Sequence, residues 1–287
     1  MTPDPILICV MLSPDGAFVW GFDQHGETDG GRVLPMDRPS SRQELASAVT
    51  GAVQASAAYG KGSCPILVAG APGDAASRVQ VPVRLEQVAQ KLQTFGNVHF
   101  LPNLSQTAPP DLSDGAEVSL FGIDESEGLV CVPGAVRRHF ELVAGRLIAF
   151  TTEMTSELQA ACMVTLEQHR QEEADQSFAE AVFVEWAERS LDTDNAVSSF
   201  AVHAALELGQ LAPEHRACAL SGLLIGAEIA AHYDPGDDVI LVADGDLAER
   251  YGLVLDVLGA DVVEYSAKEC QADGMWELAE LAGLLSA

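Results

Sequence analysis

The sequence predicts an α/β protein with two lobes, for three reasons. Each half opens with a β-hairpin: strands at 6–12 and 17–23 flank a Pro-Asp-Gly turn, and strands at 137–143 and 146–150 flank an Ala-Gly turn. The C-terminal part alternates strand and helix, which predicts parallel pairing in a sheet. With 287 residues and 48% hydrophobic content, the chain is long enough for two modest cores.

The remaining elements of the first half follow from apolar runs, caps and breakers. Ser40 or Ser41 is placed to cap a helix that runs to Tyr59, and Glu44 completes a capping box. The other predicted elements here are a buried strand at 65–70, a helix at 85–95 and a strand at 98–101.

The second half is predicted to start with a strand at 129–132 and its hairpin, followed by helices with apolar residues at three- and four-residue spacing. These helices span 153–165, 176–190, 197–208 and 213–232. The tail has a strand at 239–243, a helix at 247–258, a strand at 261–265 and a helix from Gly274. We expect an N-terminal lobe of residues 1–122 and a C-terminal lobe of residues 123–287.

Composition limits the partners. Acidic residues outnumber basic ones 43 to 15, and the net charge of −28 repels nucleic acid and anionic membrane surfaces. An anionic small ligand therefore needs local N–H groups, Arg, Lys or a metal ion.

The six cysteines form no CxxC pair, and no apolar run approaches the roughly 20 residues of a membrane helix. We expect reduced thiols in a cytoplasmic protein, and a homodimer is left open.

The motifs of several other enzyme classes are missing from the sequence. It has no GxxxxGKS loop and no GxGxxG motif after a strand. The seven histidines have no paired metal-ligand spacing, and no Ser-His-Asp arrangement is evident. Zinc chemistry and triad hydrolysis are therefore disfavoured.

Three segments carry a family resemblance: Leu129–Gly134 (LVCVPG), Phe150–Leu158 (FTTEMTSEL) and Leu220–Glu228 (LSGLLIGAE). From about Val98 to its end, the chain resembles the 2-dehydro-3-deoxygalactonokinases. This resemblance implies the actin-like ATPase/sugar-kinase fold, in which two ribonuclease-H-like lobes flank an inter-lobe cleft. It also implies ATP and Mg²⁺ as cofactors and a sugar acid as the small-molecule substrate.

The first phosphate-binding turn of that family, Asp-Trp-Gly-Thr-Thr-Asn-Leu-Arg, corresponds to Met11–Phe18 (MLSPDGAF). Met11 stands at the position of the metal-associated Asp, and a neutral thioether is a poor Mg²⁺ ligand. Pro14 removes a backbone N–H group from the turn. Asp15 is either a displaced ligand or part of an Asp-Gly hairpin turn, and the turn is favoured.

The second turn, Pro-Gly-Thr-His-Ser-Lys in the family, corresponds to Pro133–Arg138 (PGAVRR). Gly134 still permits close approach of a phosphate, so we assign it to cofactor binding. Strand alternation would direct Arg137 and Arg138 to opposite faces, with one toward the cleft or both serving as surface charge. Glu117 is the one carboxylate kept from the family's Arg-Gly-Glu-Glu-Thr-Gln.

Other family positions persist in the helices. Thr155 and Glu157 open the helix after the second hairpin; the resemblance implies substrate binding there, and a helix cap with first-turn acids is an equally good explanation. Ser221, Gly222 and Gly226 lie on one helical face and are assigned to cofactor binding, although close helix packing explains them better.

Three functional hypotheses stay open. The resemblance implies a kinase that phosphorylates a 2-dehydro-3-deoxy sugar acid. The lost turn residues, taken alone, favour a catalytically inactive homologue that acts as a binding or regulatory module. The third hypothesis is a kinase for another acceptor whose metal ligand has moved to Asp15 or Glu117. The two aspartates Asp244 and Asp246 would repel phosphate unless a metal ion intervened, so we expect Asp246 to cap the helix that follows.

Overall fold

A computed structural model describes residues 5–13, 16–36, 39, 41–56, 58–59, 64–73, 75–134, 136–167, 178–192 and 198–285. The chain forms two compact units. Unit one contains Met1–Glu127, Glu141–Phe150 and Ser266–Ala287; unit two contains Gly128–Phe140 and Thr151–Tyr265. The change of unit at Glu127–Gly128 falls just after the expected boundary at 122–123, and the later returns of the chain to unit one were not anticipated.

Both units contain strands and helices. The strands are Leu7–Ser13 (β1), Gly16–Phe22 (β2), Arg32–Leu34 (β3), Ile66–Ala69 (β4), Val79–Gln80 (β5), Val83–Arg84 (β6), Gln93–Phe95 (β7), Val98–Phe100 (β8), Leu104–Thr107 (β9), Pro110–Leu112 (β10), Gly128–Val132 (β11), Arg137–Val143 (β12), Arg146–Glu153 (β13), Asp238–Val242 (β14) and Asp261–Tyr265 (β15). The helices are Arg42–Ala55 (α1), Leu85–Ala89 (α2), Thr155–Glu167 (α3), Glu180–Leu191 (α4), Phe200–Glu207 (α5), Arg216–His232 (α6), Gly245–Leu258 (α7) and Ala267–Leu281 (α8).

Unit one is built on a sheet with the order β3-β2-β1-β4-β8-β7. The hairpin β1–β2 is confirmed as antiparallel, while β1–β4 and β4–β8 are parallel. Strand β1 is central, and Ile8, Val10 and Leu12 pack in one apolar cluster with residues of α1 and β4. A smaller sheet, β10-β9-β5, completes the strands of this unit apart from β6.

Helix α1 starts at one of its two predicted caps, Ser41. The Ser41 side chain accepts a hydrogen bond from the backbone N–H of Glu44, and its hydroxyl donates to the Glu44 carboxylate at 2.8 Å. These bonds satisfy a backbone donor that the first turn of a helix leaves open. Ser40, the alternative cap, lies outside the described residues.

The helix predicted at 85–95 is wrong in its second half. Helix α2 ends at Ala89, and residues 93–95 form β7, which pairs antiparallel with β8. Gly96, with φ of 64°, lies in the short connection between the two strands. A glycine in the left-handed region suits a tight hairpin connection as well as a helix end, so the sequence signal had two meanings.

In unit two, the strand order is β15-β14-β11-β12, and β12 forms a hairpin with β13. The predicted parallel pairing is confirmed for β11–β14 and β14–β15. The tip of the hairpin, Glu141–Phe150, counts with unit one, where β13 pairs with β6. Helices α4, α6 and α7 form one apolar core with β11 and β14.

Helix α8 starts at Ala267, seven residues earlier than Gly274, where we expected it. Gly274 lies instead in the helix interior, against the short 3₁₀ helix Ala116–Phe121. A Cβ atom on Gly274 would collide with the backbone carbonyl of Val118. The glycine therefore serves close packing inside unit one.

No helix in the described ranges combines the length and the apolar character needed to span a bilayer.

We expect Gly274→Ala to destabilise the protein by about 1–3 kcal/mol, because the new methyl group forces α8 away from Val118. Gly51→Ala is the matched control: Gly51 is exposed on α1, and its added Cβ meets nothing within 4 Å. That control should gain about 0.5–1 kcal/mol from helix propensity. Urea unfolding measures both, and equal stability of Gly274→Ala and wild type would contradict the packing account.

Candidate functional site

The candidate site of unit two lies where its parallel strands end. Strands β11 and β14 are paired neighbours, with Cys131 opposite Leu241, so the loops after Val132 and Val242 start at the same edge of the sheet. Ligands of open α/β sheets bind at the carboxyl ends of such strands. Gly134, assigned to cofactor binding from the sequence, is half-buried in the first of these loops.

Arg137 and Arg138 follow this loop, and the prediction of a surface charge is wrong for both. They are 5% and 3% exposed, so neither side chain lies on the surface, although Glu141 and Val143 further along β12 are exposed. The Arg137 Nε atom donates to the Tyr251 hydroxyl at 2.9 Å, and its NH1 group donates to the Gly134 carbonyl at 3.2 Å. Within the described part of the chain, Arg137 makes no ion pair.

Glu228 of α6 is the centre of a buried polar network in unit two. It is 5% exposed, and its Oε1 atom accepts from His139 Nε2 at 3.0 Å and from the Tyr251 hydroxyl at 2.8 Å. Its Oε2 atom accepts a short hydrogen bond from the Thr155 hydroxyl. The donors come from β12, α7 and α3, so one carboxylate joins three elements to α6.

The network continues beyond this carboxylate. His139 Nδ1 lies 2.7 Å from the Tyr233 hydroxyl, and the His139 ring stacks on His232 with centroids 4.0 Å apart. His232 Nε2 lies 2.9 Å from Glu153 Oε1. Because a carboxylate only accepts, His139 carries its proton on Nε2, and Tyr233 then donates to Nδ1.

The charge states follow from burial and hydrogen bonding. Burial opposes ionisation of Glu228, yet the hydrogen bonds from His139, Thr155 and Tyr251 bring the Glu228 pKa below its ordinary value. Burial lowers the pKa of His139 despite its contact with Glu228. At neutral pH the pair is therefore a carboxylate and a neutral imidazole. Burial also raises the pKa of Tyr251, which keeps its phenol protonated as a donor.

The two residues predicted to bind substrate have different surroundings. Thr155 is the first residue of α3 and is 4% exposed, with its hydroxyl committed to Glu228. Glu157 lies in the same first turn and is exposed. An acid there is favourable beside the positive helix end. Substrate binding by either residue stays a prediction.

The three residues predicted on α6 are buried against α4. A Cβ atom on Gly222 would collide with the Phe183 carbonyl, and one on Gly226 would collide with the Ser190 hydroxyl and lie 2.7 Å from the Ala187 carbonyl. Ser221 is 2% exposed, and its hydroxyl has no hydrogen-bond partner among the described residues. Close helix packing accounts for both glycines, and nucleotide binding by the three stays a prediction.

The start of α7 differs from the predicted cap. Asp244, and not Asp246, is the N-cap residue, and its side chain makes no capping hydrogen bond. Asp246 lies in the first turn, where its carboxylate is 3.7 Å from the Arg250 guanidinium, one turn away. The expectation that Asp246 caps this helix is therefore wrong.

In unit one, strands β1 and β4 end close to a tight backbone contact between Gly70 and Gly115. Met11 pairs with Ala69 across β1 and β4, and Gly70 follows β4 with φ of 74°. A Cβ atom on Gly115 would lie 2.7 Å from the Gly70 nitrogen and 3.3 Å from the Met11 sulfur. Pro14 and Asp15 lie outside the described residues.

Glu117 is buried beside this contact, at 1% exposure. Its Oε1 atom accepts from the Ser113 hydroxyl at 2.8 Å, and its Oε2 atom accepts from the Gly115 N–H at 2.9 Å. Burial raises its pKa to about 7, although both hydrogen bonds oppose that rise. A carboxylate shielded from solvent and held by two protein donors does not fit a metal ligand. The described residues also contain no cluster of three or more His, Cys, Asp or Glu able to hold a metal ion.

Sequence reasoning missed Glu228, Tyr251 and His139 as functional candidates. The histidines were judged only by metal-ligand spacing, and Glu228 was treated only as part of a family segment. One signal was present: Glu228 is the lone acid in the apolar run from Cys218 to Ala231. A buried acid requires partners, which makes such a position informative.

The two α/β units, with parallel strands continued by a β-hairpin and a buried polar network in unit two, fit the actin-like sugar-kinase fold. A solved structure of a Sinorhizobium meliloti protein assigned as a 2-dehydro-3-deoxygalactonokinase matches with a TM-score of 0.78 and 25% identity, covering 96% of this chain and 98% of that one. The model of the 2-keto-3-deoxy-galactonokinase family matches residues 22–278. The chain belongs to this family.

Two curated relatives carry the same family name. The probable 2-dehydro-3-deoxygalactonokinase of Rhizobium meliloti (strain 1021) is 30% identical over 233 residues, which cover 74% of this chain and 76% of the relative. The 2-dehydro-3-deoxygalactonokinase of Escherichia coli (strain K12) is 28% identical over 216 residues, 69% of this chain and 72% of the relative. The predicted family and fold are thereby confirmed.

We expect Glu117→Gln to change how stability depends on pH. A folded-state pKa near 7, above the ordinary 4.5, means that the stability contributed by protonated Glu117 is complete below about pH 4.5 and is lost as pH rises through 7. Relative to wild type, the variant should lose this decline, which cannot exceed about 1.4 kcal/mol per pH unit for one proton. Urea unfolding from pH 4.5 to 8 measures the difference.

Glu249→Gln, an exposed change on α7, controls for the altered net charge. Parallel stability profiles of wild type and Glu117→Gln across this range would show that Glu117 does not titrate near neutrality.

Proposed function

We propose that the protein transfers the γ-phosphoryl group of ATP to a hydroxyl group of a 2-dehydro-3-deoxy sugar acid. The observation that carries this proposal is the family match from residue 22 to residue 278, which includes the candidate site of unit two and begins after the turn at Met11–Phe18. The named relatives support it, and nothing in the comparisons favours an inactive homologue. We propose the identity of the acceptor and the use of ATP, whereas the family itself rests on the comparisons.

The geometry of unit two supports a phosphate-binding role for the loop after β11. Phosphoryl transfer depends mainly on positioning and on charge stabilisation. Gly134 presents backbone without a side chain, and the guanidinium of Arg137 lies next to it, bonded to its carbonyl. In a protein of charge −28, this buried cation supplies local positive charge for an anion. We assign Gly134, with Ser221, Gly222 and Gly226, to the nucleotide side and Thr155 and Glu157 to the sugar acid.

A Mg²⁺ ion that accompanies ATP would be held mainly by the phosphates, since this ion keeps water and phosphate oxygens and uses few protein carboxylates. The residues at the end of β1 do not fit a metal ligand: Met11 offers a thioether, and both Glu117 oxygens are engaged.

We also propose a cytoplasmic location. The support is that all six cysteines are free thiols, and four of them are buried. Free thiols are typical of a reducing compartment.

Calorimetric titration with Mg·ATP, followed by an ADP-release assay with 2-dehydro-3-deoxygalactonate, tests the proposal. We expect saturable nucleotide binding that EDTA weakens, and ADP formation that depends on the sugar acid and is absent with D-galactose, which lacks the carboxylate. Binding without ADP release for any sugar acid would support a catalytically inactive homologue. No binding up to millimolar Mg·ATP would contradict the nucleotide assignment itself.

A further inference from the structure

The Glu228 carboxylate connects two segments that the proposed function assigns to different ligands. One connection runs through the Tyr251 hydroxyl to Arg137 Nε, and from Arg137 NH1 to the Gly134 carbonyl in the loop after β11. The other is the direct bond from Thr155 at the start of α3. The first segment is assigned to the nucleotide and the second to the sugar acid.

Each connection reaches the end of a secondary-structure element. The loop after β11 lies beyond the last ladder pair of β11 with β14, and the Arg137 bond to Gly134 gives it a side-chain contact there. The first backbone N–H groups of α3 have no partners inside the helix, and the Thr155 side chain bond sets where these donors point.

The charge distribution suits positioning better than stability alone. Among the described residues, the donors bonded directly to Glu228 are neutral: His139, Tyr251 and Thr155. The buried cation, Arg137, is one hydrogen bond further away, on the other side of Tyr251. The Tyr251 phenol lies between the Arg137 guanidinium and the Glu228 carboxylate, so these two charged groups are not bonded directly. A direct contact with Glu228 would neutralise the positive charge of Arg137.

We propose that Glu228 is a positioning residue that fixes the loop after β11 and the start of α3 together, so that nucleotide and sugar acid each bind to a segment that this carboxylate holds. The inference rests on the proposed function and deepens it. It predicts that one substitution in the interior of α6 weakens both ligands, whereas a substitution on either connection weakens one.

The test is calorimetric titration of Mg·ATP and, separately, of 2-dehydro-3-deoxygalactonate into a set of variants. Glu228→Gln keeps the shape but removes the charge, and should raise both dissociation constants by about tenfold, the effect of losing charge-assisted hydrogen bonds. Tyr251→Phe should raise the constant for Mg·ATP alone, and Thr155→Val the constant for the sugar acid alone. Thr155→Ser, which keeps the hydroxyl, should restore sugar-acid binding.

Double variants separate positioning from independent contacts. Adding Tyr251→Phe to Glu228→Gln should not weaken Mg·ATP further, and adding Thr155→Val should not weaken the sugar acid further. Glu185→Gln, the same chemical change at an exposed position of α4, should leave both constants at wild-type values. Thermal unfolding of each variant checks that it is folded, and Tyr251→Phe, which removes a single oxygen, is the fallback if Glu228→Gln is not.

Three outcomes would overturn the inference: a folded Glu228→Gln with both constants within twofold of wild type, a change in only one constant, or full additivity in the double variants. A wild type that binds neither probe would overturn it as well. A wild type that binds both probes without releasing ADP would contradict the proposed activity while the variant pattern still decides the role of Glu228.

Discussion

The buried carboxylate of Glu228 is the interaction on which the arrangement of unit two depends. Placing an ionised acid at 5% exposure is unfavourable unless donors surround it, and here His139, Tyr251 and Thr155 provide them. These donors come from three elements that are distant in sequence. Their common partner therefore fixes the relative positions of β12, α3 and α7 against α6, and with them the loop that carries Gly134.

Unit one reaches a comparable edge by a different device. There the backbone segments at Gly70 and Gly115 approach so closely that neither position has room for a Cβ atom. Glu117 stabilises this contact, because one of its carboxylate oxygens accepts from the Gly115 N–H and the other from the Ser113 hydroxyl. In this unit the carboxylate stabilises the backbone itself.

The sequence was sufficient for features that local signals determine. The first hairpin, the Ser41 cap, strand β15 and the parallel tail were predicted nearly as observed, because turns, caps and apolar periodicity act over a few residues. The burial of Arg137 was not predictable in this way, since its partner Tyr251 lies 114 residues away. The partners of Glu228 could not be paired either: His139 and Thr155 lie 89 and 73 residues away. The helix predicted up to Gly96 was wrong because a glycine can end a helix or connect two strands.

The most direct measurement is a crystal structure of the protein with Mg²⁺ and a non-hydrolysable ATP analogue. The account predicts triphosphate density beside the Gly134 backbone and the Arg137 guanidinium, with the Arg137–Tyr251–Glu228 bonds intact. Nucleotide bound away from the loop after β11, or Arg137 released from Tyr251 in the complex, would contradict it.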